Sequence, residues 1–247
     1  MSLRKPYYRI WRPFIDAKTH PRHCDYLRDP RNAKNASDLI RGYLLLEKEL
    51  IRNFEFIEPC DAHLTSYSHQ LYSLLLRAST EFEANAKGVL IANEYSPKGD
   101  WTIKDYQKLD SAMRLSDYTV IVHAWSGQNR VVQPFKQWSS PANGLPWYRA
   151  YNKVKHNRAD EFSSASLENV VNAIAGVFAI LFSQFHIQSF HPVHTGMYFT
   201  DDDDDAISHS TSMFGIRLPS TWSVADSYDF DWDTLKASPM PFVRYSF

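Results

Sequence analysis

Glycine and cysteine are both scarce in this chain of 247 residues, which contains 8 glycines and 2 cysteines. So little glycine argues against an all-β fold, because such folds need many turns. Cys24 and Cys60 do not have the spacing of a metal site, and neither belongs to a paired thiol motif. Two unpaired cysteines fit a reducing cytoplasm, and a thiol enzyme is not indicated.

Long hydrophobic runs are also missing. The longest one near the C-terminal helix, residues 173–182, falls far short of the ~20 residues that cross a bilayer. The first 16 residues contain Pro6 and Pro13 and have no apolar core, so they do not resemble a signal peptide. We therefore expect a cytoplasmic protein without a membrane-spanning segment.

Excess charge of one sign is absent, since 27 basic and 28 acidic side chains leave a formal net charge of −1. The chain as a whole is therefore not suited to bind nucleic acid, and any contact with RNA has to be local. The sequence also lacks a glycine-rich phosphate loop, a G-x-S-x-G elbow and an H-E-x-x-H motif. Neither a cofactor nor a metal ion is predicted.

Hydrophobic residues nevertheless make up 44% of the chain and aromatic residues 15%, which is enough for a globular core. Apolar residues at helical spacing predict a mainly α fold in which four longer helices form a bundle. They run from about Ser37 to Phe54, Asp61 to Asn93, Pro146 to His156 and Ser166 to Phe185. The core stripe of the second helix includes Tyr67 and Phe82. A shorter helix is predicted over Thr102 to Leu115.

A small β-hairpin is predicted between the helices, at about residues 118–138. Its first strand is YTVIVHAW, with β-branched and aromatic residues in a period of two. Residues 127–129 resemble a turn, and residues 131–138 are predicted to return as a strand. Pro134 confines that strand to an edge of the sheet.

The pattern divides the chain into three parts. Residues 1–35 form an aromatic N-terminal arm that we expect to be irregular but packed, residues 36–186 form the helical domain, and residues 187–247 form an irregular C-terminal extension. The extension is acidic and aromatic, and it contains the run Asp201 to Asp205, for which a solvated loop is the default interpretation.

One stretch, residues 145–158, carries most of the information about function. It reads LPWYRAYNKVKHNR and contains four basic residues and no acidic one. Pro146 suits the first position of a helix, because its missing N–H is not needed there. At 100° per residue, one face of this helix is apolar and packs inward, with Trp147, Ala150, Tyr151 and Val154. The opposite face carries Arg149, Asn152, Lys153 and His156.

Arg149 and His156 are seven positions apart, so they lie about 20° from eclipsed and roughly 10 Å apart along the helix axis. Asn152 lies between them, within side-chain reach of both. Arg149, six intervening residues and His156, on a helix that a long apolar helix follows, resemble the Arg-x(4 to 6)-His motif of the HEPN superfamily. The fuller string WYRAYNKVKHNR also resembles a recurring segment of uncharacterised bacterial proteins.

HEPN proteins are small helical domains of prokaryotic toxins, phage-defence proteins and RNA-processing enzymes. The resemblance therefore implies a HEPN-like four-helix bundle and metal-independent cleavage of RNA. It also implies a homodimer, because sites in this family are commonly built where two copies of the motif helix face each other. A toxin or phage-defence component of this kind would have an antitoxin or another protein as a partner.

In that interpretation His156 moves a proton at the 2′-hydroxyl or at the leaving 5′-oxygen, and Arg149 clamps the scissile phosphate. Asn152 holds the imidazole or the phosphate. Lys153 adds positive potential and, with Lys155 and Arg158, forms the predicted substrate-binding set. The second helix carries two candidate supporting acids, Glu81 and Glu83, which could pair with Arg149 or orient His156. They lie some 200° apart, so they cannot both face one site.

Two alternatives remain open beside a ribonuclease. The chain could be a non-catalytic HEPN-like module that binds RNA, a nucleotide or a protein, because Ala150 stands where nuclease members commonly have a polar residue. Asn152 could instead take that polar role. The other alternative is structural, with Arg149 and His156 buried in pairs with Glu81 or Glu83. Exposure of the face that carries Arg149 and His156 distinguishes this last alternative from the first two.

Overall fold

The protein is mainly helical, with one small antiparallel sheet. A computed structural model describes residues 2–16, 24–140, 144–186, 198–201, 206–209 and 213–247. The α-helices are α1 (Ala36–Phe54), α2 (His69–Ala92), α3 (Ile103–Gln107), α4 (Leu109–Met113), α5 (Pro146–His156), α6 (Arg158–Glu161), α7 (Leu167–Phe185) and α8 (Trp232–Leu235). The strands are β1 (Thr119–Val122), β2 (Val131–Val132), β3 (Tyr198–Asp201), β4 (Ala206–His209) and β5 (Phe214–Arg217).

Helix α7 lies at the centre of the molecule. Ser166 begins it as predicted, because its hydroxyl accepts a hydrogen bond from the N–H of Asn169 at 3.4 Å. Nearly every side chain of the helix is buried, and α1, α2 and α5 all pack against it. A helix that is apolar all round has to be enclosed on every side, and these three helices supply most of that enclosure.

By length and composition α7 could cross a membrane, and it is the one helix of the described residues with that property. Here 83% of its most apolar stretch is buried inside the protein. Its hydrophobicity is therefore used in the core of the fold.

Helix α2 begins later than predicted. A single 3-10 turn covers Asp61–His63, and the α-helix starts only after Ser68, whose hydroxyl accepts the N–H of Leu71 at 3.1 Å. Ser68 has the extended backbone of an N-cap, so the helix cannot continue backward through it. The ring of Tyr67 consequently lies outside the core stripe and is 53% exposed.

The predicted helix from Thr102 to Leu115 is two short helices, α3 and α4. The carboxylate of Asp105 accepts hydrogen bonds from the backbone N–H and the hydroxyl of Thr102, which fixes the start of α3. Arg114 adopts a left-handed conformation with a φ of 52°, so it ends α4 before Leu115.

The predicted hairpin exists only in part. Strand β1 pairs with β2 in antiparallel fashion, but β2 is confined to Val131–Val132, and a 3-10 turn follows at Lys136–Ser139. On its other side β1 pairs with β5, so that the strand order of the five-stranded sheet is β2-β1-β5-β4-β3. The C-terminal region is therefore not wholly irregular, because it supplies three of these strands. Residues 202–205 of the aspartate run lie outside the described residues.

The N-terminal arm packs against the end of the chain. Its backbone bonds to the C-terminal segment at several points, for example from Leu3 N–H to Ser227 and from Ile15 N–H to Tyr228. Between them lies a second cluster of buried side chains, formed by Trp11, Cys24, Tyr26, Leu27, Tyr228, Phe230, Trp232 and Phe242. Over residues 2–16 and 24–35 the arm is packed and, apart from a 3-10 turn at Asp25–Arg28, irregular.

Arg9 anchors the arm to the helices. Its side chain is buried, and Nε and Nη2 both donate to Oε1 of Gln184 on α7, at 2.8 and 2.6 Å. Gln184 in turn donates to Asn85 of α2 at 3.0 Å. Burial lowers the pKa of Arg9 to about 10, so the group remains a cation at neutral pH. This network joins the arm, α2 and α7 through side chains that have lost most of their contact with water.

The guanidinium of Arg9 needs the space left by Gly88. A β-carbon on Gly88 would lie 2.1 Å from Nη1 of Arg9. We predict that Gly88→Ala displaces Arg9 from Gln184 and lowers the free energy of unfolding by roughly 0.5–2 kcal/mol. Alanine gains ~1 kcal/mol of helix propensity, whereas a lost hydrogen bond to a charged group costs roughly 1.5–3 kcal/mol. Urea unfolding measures the difference.

Gly99→Ala is the matched control, because a β-carbon there has no neighbour within 4 Å. Its stability should stay within ~0.5 kcal/mol of the wild type. Equal stability of Gly88→Ala and Gly99→Ala would show that the hydrogen bonds of Arg9 to Gln184 do not need the space left by Gly88.

Asp61 holds the loop between β1 and β2. Its carboxylate accepts hydrogen bonds from Trp125 Nε1 at 2.8 Å, Gln128 N–H at 2.8 Å and Asn129 N–H at 3.1 Å. The hydrogen bond from Trp125 is the largest of the causes that lower the pKa of Asp61 from 3.8 to about 2. Gly127 permits this approach, since it has a φ of 126° and a β-carbon there would lie 2.6 Å from the carboxylate carbon.

A lowered pKa means that the charged carboxylate favours the folded state. Its contribution is complete above the ordinary value of 3.8 and is lost as the pH falls toward about 2. We predict that Asp61→Asn destabilises the protein at pH 6, and that its deficit relative to the wild type shrinks between about pH 4 and pH 2. Thermal unfolding of both proteins across this range measures the deficit. Asp100→Asn, which changes an exposed residue, is the control. A stability deficit of Asp61→Asn that does not depend on pH would contradict this account.

Candidate functional site

Helix α5 spans Pro146–His156, as the sequence predicts, with Pro146 in its first turn. Its side chains divide as the helical spacing requires. The buried side chains, which face α7 and α2, are Trp147, Tyr148, Ala150, Tyr151 and Val154. Trp147 also donates its indole N–H to the carbonyl oxygen of Pro134 at 2.9 Å, which fixes the rotation of the helix about its axis. The polar face of α5 is therefore directed outward.

Arg149 and His156 lie on that outward face and are exposed, while Asn152 between them is half-buried. None of these three side chains has a hydrogen-bond or ion-pair partner within the parts of the chain that the structure describes. The side chain of Arg149 runs back toward the start of the helix, with Cδ 3.7 Å from the position of a β-carbon on Gly144. A guanidinium, an amide and an imidazole are thus presented to solvent along one helix.

The other predicted substrate-binding residues flank this face. Lys153 pairs with Glu161 at 3.1 Å, and this hydrogen bond, with one from Ser164, lowers the pKa of Glu161. Lys155 donates to the hydroxyl of Tyr151 at 3.1 Å, which raises the pKa of Lys155. Both ammonium groups are near the surface, where screening by water keeps their local pairs weak. Lys155 keeps its full charge because its partner is a neutral hydroxyl, whereas the charge of Lys153 is compensated by Glu161.

Glu81 and Glu83, the predicted supporting acids, do not bond to Arg149 or His156 among the described residues. Glu83 accepts a hydrogen bond from the hydroxyl of Tyr148 at 2.7 Å and pairs with Lys87 at 3.5 Å. Burial and this hydrogen bond raise the pKa of Tyr148, so it stays protonated.

Glu81 is turned toward α1, where Oε2 lies 2.9 Å from the position of a β-carbon on Gly42. Partial burial raises the pKa of Glu81. The separation of ~200° around α2 explains why the two acids have different neighbours. The acids of α2 therefore fix the packing of the helices and leave the Arg149 face free.

Ala150, where the sequence departs from the nuclease pattern, is buried at 5% exposure. Position 150 lies 100° around the helix from Arg149, on the side that packs inward. A polar residue there would point into the core of this chain. The departure therefore removes no group from the exposed face.

An aromatic cluster, which sequence reasoning missed, lies just beyond the C-terminal end of α5. Phe162 is its centre, with ring centroids 5.6 Å from Tyr67, 4.7 Å from His69 and 5.9 Å from Tyr72. We call these four side chains the aromatic platform. The guanidinium of Arg158 lies 6.0 Å from the ring of Tyr72. Tyr67, His69 and Tyr72 lie close together in the sequence around the start of α2, which is a signal of an aromatic cluster. Only the fold brings Phe162 to them.

A cavity of about 430 Å³ opens elsewhere, between the start of α7 and strand β2. Its size is that of a small-ligand site. Its walls are formed by Leu64, Trp125, Asn129, Val131, Val132, Gln133, Lys136, Glu168, Val171 and Asn172. None of these residues belongs to α5, so the cavity and the Arg149 face are separate features.

No model of a known protein family, no curated protein and no solved structure matches the chain. Three features of the described residues point to a function: Arg149 and His156, which have no partner among those residues, the basic residues that flank them, and the aromatic platform at the end of the same helix.

Proposed function

We propose that the chain is a HEPN-like, metal-independent endoribonuclease that acts through the exposed face of α5. The observation that carries this proposal is that Arg149 and His156 share one face and have no partner within the described residues. A structural role would require burial and pairing of these side chains, because an exposed side chain without a partner adds little stability. The face also has no acidic side chain of its own to repel a phosphate.

The chemistry is a transesterification within the RNA strand. The 2′-oxygen forms a bond to phosphorus, the bond from phosphorus to the 5′-oxygen breaks, and the products carry a 2′,3′-cyclic phosphate and a 5′-hydroxyl. His156 accepts the 2′-hydroxyl proton or supplies one to the leaving 5′-oxygen, a role that contributes ~10² to 10⁴ in rate. Arg149 donates two parallel hydrogen bonds to the phosphate and stabilises the charge that develops on it.

A second copy of the chain solves the problem of distance. Arg149 and His156 of one helix are roughly 10 Å apart along the axis, too far to contact one phosphate group together. A two-fold axis perpendicular to α5, near Asn152 and Lys153, would set Arg149 of one subunit opposite His156 of the other. The same operation would form a second, identical site.

The charges on α5 suit this pairing. Lys153 would approach its own copy at the two-fold axis, and two unpaired ammonium groups would repel each other. Glu161 already compensates Lys153 at 3.1 Å, so the helices can approach with this charge neutralised. Arg149 lies away from that pair and keeps its charge for the substrate.

A non-catalytic module that binds RNA or a protein is the second candidate. The observation in its favour is the same separation of Arg149 and His156, since a single copy of α5 does not bring the two groups to one phosphate. In either case a protein antitoxin, as the HEPN resemblance suggests, would act by covering the exposed face of α5.

Cleavage of RNA in the presence of EDTA tests the proposal. We predict that the purified protein cleaves a mixed RNA pool and leaves 2′,3′-cyclic phosphate ends. His156→Ala should lower the rate by ~10² to 10⁴ and Arg149→Ala by ~10² to 10³, because each removes a group that acts on the transition state. End-labelled RNA on denaturing gels measures the rates.

Arg41→Ala is the matched control, since Arg41 is an exposed arginine on another long helix, α1. It should cleave as the wild type does. All three variants change exposed side chains, so their stability should stay within ~0.5 kcal/mol of the wild type. RNA binding by the wild type without any cleavage would move the protein to the second candidate.

Mixing two inactive variants tests the composite site. We predict that Arg149→Ala and His156→Ala proteins, unfolded together and refolded, recover about a quarter of the wild-type activity. Half of the dimers are then mixed, and each has one of its two sites intact. A mixture as inactive as its components, although mass spectrometry detects mixed dimers, would rule out the shared site.

A further inference from the structure

The aromatic platform lies in line with the proposed site. Helices α2 and α5 run antiparallel, because Tyr148 near the start of α5 bonds to Glu83 while Arg158 beyond its end lies over Tyr72 near the start of α2. His156 is the last residue of α5, two positions before Arg158. The platform is therefore placed next to the end of α5 that carries His156.

The platform is exposed where aromatic rings are normally buried. Tyr67 is 53% exposed, and His69 is also exposed. Phe162 is half-buried and contacts both rings. The backbone of Tyr67 is held as well, since it forms an isolated antiparallel bridge with Ser166 at the start of α7. These rings are held in place before any ligand arrives, which lowers the entropic cost of binding.

Positive charge accompanies the rings. Arg158 is exposed, and Lys155 and Arg149 continue the positive charge back along α5. Rings for stacking, beside basic groups that follow a backbone, are the combination by which proteins bind single-stranded nucleic acid. A negatively charged protein partner would meet the same charges but would have no use for exposed aromatic rings.

We propose that the platform is a base-stacking subsite, in which Tyr67 and His69 take up an unpaired base of the bound RNA beside the cleaved phosphate. A base within a duplex is covered on both faces by its neighbours, so it can reach Tyr67 or His69 only after it leaves the stack. Stacking does not depend on the identity of the base, so the subsite selects strandedness and not sequence. This inference rests on the proposed ribonuclease function, since it assigns a role in substrate choice to the surface beside that site.

Comparing the binding of single-stranded and duplex RNA tests the base-stacking subsite separately from the ribonuclease proposal. The full chain carrying His156→Ala is titrated against a fluorescein-labelled RNA of about 12 nucleotides, alone or annealed to its complement, and anisotropy gives the Kd. The single strand should bind more tightly than the duplex. Adding Tyr67→Leu should weaken single-strand binding by about 5-fold to 100-fold, the loss of one stacked base, and leave duplex binding unchanged.

Two further variants show what the ring does. Tyr67→Phe keeps the ring and should bind the single strand as the parent does. Phe247→Ala removes a half-buried ring that packs on Tyr95, beyond the far end of α2, and should also have no effect. A 5-iodouridine RNA, irradiated on the parent protein, should crosslink to Tyr67, His69 or Phe162.

The outcomes are distinct. Tight single-strand binding that Tyr67→Leu does not weaken, with crosslinks elsewhere, overturns the stacking subsite and leaves the ribonuclease proposal in place. Duplex binding as tight as single-strand binding overturns the subsite as well. No binding of either RNA overturns both the subsite and the proposed function.

Discussion

The structure depends on the need to enclose α7. Residues 173–185 of this helix are all buried, and α1, α2 and α5 pack against it. Enclosure also determines which side of each neighbour faces water. For α5 the apolar residues must point inward, and with 11 residues in the helix the polar set can only point outward. The exposure of Arg149 and His156 is thus a consequence of the central helix. Among the described residues the two side chains have no partners, because two acids near α5 are used in other contacts, Glu83 by Tyr148 and Glu161 by Lys153.

Polar contacts give the fold its specificity. Arg9 reaches Gln184, which in turn donates to Asn85, only because Gly88 leaves room, and Asp61 can hold its loop only because Gly127 has a positive φ. Each contact joins segments that are distant in sequence. An apolar core of similar volume would be stable in several arrangements, whereas these hydrogen bonds are satisfied in one. They fix the rigid frame on which the face of α5 is presented.

Sequence reasoning succeeded where the determining forces are local. The bounds of α5 and α7 follow from Pro146, from the Ser166 cap and from helical periodicity. It failed where distant segments meet. The pairing of β1 with β5 joins strands more than 90 positions apart, and no local pattern in Thr119–Val122 identifies its partner. Tyr67 was assigned to the core because its spacing fits α2, but the Ser68 cap places it before the helix. Helix α2 was expected beside α5, yet spacing could not show that Glu83 would accept a hydrogen bond from Tyr148 while Glu81 turns toward α1.

The central claim is that RNA binds on the outward face of α5, and the histidine side chains report on it directly. The chain has 10 histidines, and loss of one imidazole signal in His156→Gln assigns His156 in an NMR spectrum. A single-stranded RNA with 2′-O-methyl groups binds but cannot be cleaved, because it has no free 2′-hydroxyl. Its addition should shift the signals of His156 and His69 and leave unchanged that of His186, which stacks on Trp11 at the far end of α7. A spectrum in which the RNA binds but the signal of His156 does not move would contradict the account.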